Sequence, residues 1–68
     1  MNRRMMSAED ERAVELFRLR YTLRQAAERG ARNQAAEHAL TRLLEMARDA
    51  GSRLLLFEHQ RWQVQLSF

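Results

Sequence analysis

A mainly helical α+β domain is what the residue pattern predicts: a helical hairpin followed by a C-terminal β-hairpin, paired as a homodimer. Three observations lead there. Glycine occurs only at Gly30 and Gly51 and proline not at all, so the 68 residues fall into three segments. Each glycine follows a stretch of helix formers, where a left-handed residue ends a helix. The second segment repeats its apolar residues with helical period, whereas the third ends in strict alternation. Residues 1–6 are expected to be a flexible tail and residues 7–68 one small domain.

The first helix is expected over about 7–29. Ser7 precedes Ala-Glu-Asp, a loose capping box with Asp10 where Glu or Gln is usual. Glu9, Asp10 and Glu11 suit the positive end of a helix dipole. At 3.6 residues per turn the apolar positions form two stripes. Leu16, Leu19, Leu23 and Ala26 make one, and Val14, Phe17 and Tyr21 make the other, on nearly the opposite side. A helix apolar on two sides is expected between two neighbours.

The second helix is expected over about 33–50. Ala36, Ala39, Leu40, Leu43, Leu44, Met46, Ala47 and Ala50 share one broad face, with Glu37, His38, Arg42, Glu45 and Arg48 among the residues opposite. The alanines permit close approach of an antiparallel neighbour. Leu40 and Leu43 are expected in the core, together with Trp62 of the third segment.

The third segment, about 53–68, is expected to be the β-hairpin. Trp62, Val64, Leu66 and Phe68 alternate with Gln63, Gln65 and Ser67, the period of a half-buried strand. Leu54 to Phe57 would be the partner strand, with a turn at Glu58 to Arg61. In that register Phe57 faces Trp62, Leu55 faces Val64, and Glu58 pairs with Arg61. The terminal Trp-x-Val-x-Leu-x-Phe resembles the last strand of outer-membrane barrels; with no export signal and no further strands, a terminal core strand is the preferred reading.

Composition bounds the function. Without cysteine there is no disulfide framework and no thiolate metal site. No apolar stretch follows Arg3 and Arg4, and the longest apolar run, Leu54 to Phe57, is too short to span a bilayer. A cytoplasmic protein without membrane association is therefore expected. Hydrophobic residues make up 46% of the chain, too many for a disordered one. All twelve basic residues are arginine, as a GC-rich genome favours, and the net charge of +3 is modest. A surplus of that size permits nucleic-acid binding without requiring it.

Catalytic candidates do not assemble. His38 and His59 lie in different segments and in no metal-ligand spacing. Ser7, Thr22, Thr41, Ser52 and Ser67 lack a glycine-flanked elbow. No glycine-rich loop is present to cradle phosphate. The expectation is a non-enzymatic protein that requires no cofactor or metal.

One segment has an alternative. In Thr22 to Leu44, Thr22 and Gln25 have capping-box spacing, Ala26 and Gly30 stand four apart, and a helix and then the expected hairpin follow. This order resembles a winged helix-turn-helix. The resemblance implies nucleic-acid contacts from Arg32, Asn33, Gln34, His38 and Arg42. Gln25 and Arg29 depart from it, standing where that motif buries apolar side chains, and Ala36 and Ala39 are small for its core. The preferred reading is a protein-binding module, an adaptor or inhibitor of bacterial or phage type that self-associates and docks on a larger protein. Its interface would comprise Val14, Phe17, Arg20, Tyr21 and Arg24, the aromatic and arginine residues that dominate binding hot spots.

Overall fold

A computed structural model describes residues 6–67 and contains three helices: α1 (Ala8–Arg29), α2 (Gln34–Ala50) and α3 (Arg53–Gln65). Residues 1–5 of the expected tail and Phe68 lie outside the described residues. Ser7 accepts a hydrogen bond from the Asp10 amide at 3.1 Å and opens α1. Asn33 opens α2 by accepting from the Ala36 amide at 2.8 Å. Each cap satisfies an amide that the first helical turn leaves without a partner.

Gly30 and Gly51 end the first two helices with φ of 63° and 59°. Both use one device. The glycine amide donates to a carbonyl three residues back, and the next amide reaches a carbonyl five back: Ala31 to Ala26 at 3.0 Å, Ser52 to Ala47 at 2.9 Å. A side chain at either position would meet no neighbour, but the left-handed backbone itself would be strained.

The expected β-hairpin at 53–68 is not formed; its described part is α3 and the turn after it, and there is no strand among the described residues. The fold is all-α. Ser52 caps α3 by accepting from the Leu55 amide at 3.2 Å. The segment is rich in Leu, Gln and Arg, all good helix formers. Leu55, Trp62 and Leu66, seven and four residues apart, fall on one helical face and pack with the core. A two-stranded hairpin with no third strand and no glycine in its turn had little to set against this. The pairings expected of the hairpin are replaced as well. Glu58 bonds to Arg20 rather than Arg61, and Val64 faces outward while Leu55 faces in.

The short connections make consecutive helices antiparallel neighbours. Arg32, just before α2, donates to Gln63 near the end of α3 at 2.9 Å, as that course requires. The middle helix packs against both others. Its buried residues Ala36, Ala39, Leu40, Leu43, Met46 and Ala47 span an arc wide enough for two helices to dock side by side. Leu19, Leu23 and Ala26 of α1 and Leu66 after α3 complete the core. Trp62, expected in the core, is half-buried at its edge. The sandwiched helix is therefore α2 and not α1, which buries only its Leu16–Ala26 stripe.

Candidate protein-interaction surface

The second stripe of α1 has no cover. Phe17 is 69% exposed and Tyr21 54%, one turn apart, with Val14 and Arg24 also outward. Residues three and four apart share a helix face, so these side chains form one row. Arg20, expected in the same row, turns to its edge and is committed elsewhere. Its guanidinium donates through Nε and Nη2 to the two carboxylate oxygens of Glu58, both at 2.8 Å. Trp62 Nε1 adds a third bond to Glu58 Oε2 at 3.1 Å. The Arg20 guanidinium holds the Glu58 carboxyl below the usual carboxylate range against the opposing effect of burial. This cluster ties α1 to α3, whose main chains otherwise barely meet, and fixes the rotation of α3.

That rotation creates a second apolar face, which reading the segment as a hairpin could not reveal. Leu54 is 81% exposed, Phe57 63% and Val64 54%, with Arg61 outward between them. They recur at intervals of three, four and three, a continuous seam along a helix. Phe57, Arg61 and Val64 line a shallow, mostly apolar depression of about 490 Å³. The helical spacing of Leu54, Phe57, Arg61 and Val64 was visible in the sequence, and it is the signal that could have found this face.

The residues named for nucleic-acid contact are scattered in role. Arg42 donates to both carboxylate oxygens of Glu15, at 3.0 Å through Nη2, and to Glu45 at 3.3 Å. These bonds hold the Glu15 carboxyl low, with Arg42 the principal cause. Arg32 bonds to Glu37 and Gln63. The Asn33 side chain is spent on its cap. Gln34 and His38 are exposed at the start of α2. There is no helix break between Leu19 and Leu23, since α1 is continuous, and no wing among the described residues.

Elsewhere an open cleft of about 480 Å³ separates the start of α1 from the end of α2, lined by Glu11, Arg12, Glu15, Arg42 and Met46 among others. Its charged groups are mixed in sign, and Glu15 and Arg42 join across it. Among the described residues no three His, Cys, Asp or Glu side chains are grouped to hold a metal ion, and no helix is long and apolar enough to cross a membrane. The geometry defines a three-helix protein with two exposed apolar faces. No protein-family model, curated protein or solved structure matches the chain.

Proposed function

We propose that the protein is a non-enzymatic protein-binding module, an adaptor or inhibitor of bacterial or phage type acting in the cytoplasm, that docks on a larger protein through the outer stripe of α1. One observation carries this reading. Phe17 and Tyr21 stand exposed one turn apart beside Arg24, on a helix whose opposite face already closes the core. The fold gains nothing from aromatic rings in water, whereas an interface does. The nucleic-acid reading loses support because Arg32 and Arg42, its strongest phosphate-binding candidates, are engaged by carboxylates.

The test compares capture from a bacterial lysate by the native chain with capture by Phe17→Ala and Tyr21→Ala. Both variants should keep their helicity, because neither side chain is in the core, and both should lose the partner. Capture unchanged in both would overturn the proposal. So would salt-sensitive retention of duplex DNA that disappears in Arg32→Ala with Arg42→Ala, since steep salt dependence marks phosphate contacts.

A further inference from the structure

We propose that the outer face of α3 is a two-fold interface with a second copy of this chain, in which the two α3 helices lie antiparallel. The proposal rests on reading the protein as a binding module and gives its two apolar faces different occupants. The α3 face joins two copies, and the α1 stripe stays open for the larger protein.

The first support is exposure. Leu54, Phe57 and Val64 are all large, apolar and more than half exposed, and a contiguous row of such side chains marks an association surface.

The second support is the pattern of the face. The intervals between Leu54, Phe57, Arg61 and Val64 read the same in both directions. Two copies related by a two-fold axis near residue 59 therefore match without adjustment. Leu54 lies opposite Val64 of the second copy, and Phe57 lies opposite its Arg61. An isologous contact of this kind uses the same patch twice. Arginine over a phenylalanine ring is attractive. Parallel pairing would instead set Arg61 beside Arg61 of the second copy, two like charges at one level. No carboxylate stands on the face to relieve that repulsion, and Glu58 at its edge is held by Arg20.

Sedimentation of the full chain at micromolar concentration should show a dimer, and Phe57→Glu should give a monomer of unchanged helicity. A cysteine experiment fixes the orientation and does not depend on that variant folding. The native chain has no cysteine. Positions 54 and 64 are about 15 Å apart along one helix, beyond the roughly 7 Å a disulfide can bridge. Leu54→Cys with Val64→Cys should therefore form a covalent dimer on mild oxidation, and neither single variant should. A monomeric native chain, a dimer that survives Phe57→Glu, or cross-linking by either single variant would overturn the proposal. Loss of the dimer in Phe17→Ala or Tyr21→Ala instead would move the self-contact to α1 and overturn it too. Lysate capture is read separately, so a monomer that still captures its partner refutes this interface and leaves the binding module standing.

Discussion

Leu23 and Leu43 are the largest side chains with essentially no solvent exposure. Around them Leu19, Leu40, Met46 and Leu66 are interleaved with the small residues Ala26, Ala36, Ala39 and Ala47. A core this small depends heavily on each large side chain. Truncating Leu43 removes its transfer free energy and leaves a cavity between α2 and its neighbours that rigid helices close only in part. Leu43→Ala should therefore lower stability by about 2–5 kcal/mol, measured by urea unfolding. A loss within about 0.5 kcal/mol, the scale of surface changes, would mean that the inward face of α2 is misassigned. The same physics places Phe17 and Leu54 in another class. Both are large and apolar, yet neither contributes to this core, so their truncation should be felt in association and not in the folding of one chain.

At the scale of the helix, α3 gives a direct test of the all-α fold. Gln60 lies in its interior, where proline would remove a hydrogen bond and clash with the carbonyl of residue 56. Gln60→Pro should cost about 3 kcal/mol and reduce helicity. Without α3 there would be no helix at residue 60 to interrupt, so unchanged helicity in Gln60→Pro would contradict the assignment of α3. The first two helices were legible because glycine and a polar cap mark their ends, and the structure moves each boundary by little. The third was not, for two physical reasons. Ser52 follows Gly51 directly and reads as a turn residue, although one helix can end and the next be capped by adjacent residues. Trp62 and Leu66 satisfy period two and helical spacing at once, and only Leu55 together with the leucine-rich start separates the alternatives. The site followed its elements. The α1 stripe of Val14, Phe17 and Tyr21 was readable from spacing alone, while the α3 face depended on knowing that α3 is a helix. The engagement of Arg42 by Glu15 joins residues 27 apart in sequence and required the packed fold.

At the scale of the whole molecule, charge makes stability a function of pH, and His59, Glu15 and Glu58 all point one way. His59 is half-buried on α3, and burial, followed by the nearby positive charge of Arg48, lowers its affinity for a proton. The unfolded chain therefore binds that proton more readily, and stability should fall as pH drops below about 6.5. Glu15 and Glu58 are held below the usual carboxylate range by Arg42 and Arg20. Their contribution is complete above the ordinary carboxylate value and is lost as acid protonates them in the fold. The arginine partners stay charged throughout, so the same pairs persist on the alkaline side. The net charge of +3 also rises as carboxylates are neutralised, which adds repulsion within the folded chain. Thermal melting at fixed protein concentration and ionic strength should thus give a midpoint that declines in two stages. The first lies between about pH 7 and 5 and should flatten in His59→Gln. The second lies below about pH 5 and should shrink in Glu58→Gln. A midpoint constant or rising between the first two pH values would place His59 in solvent, against α3 packing on α2.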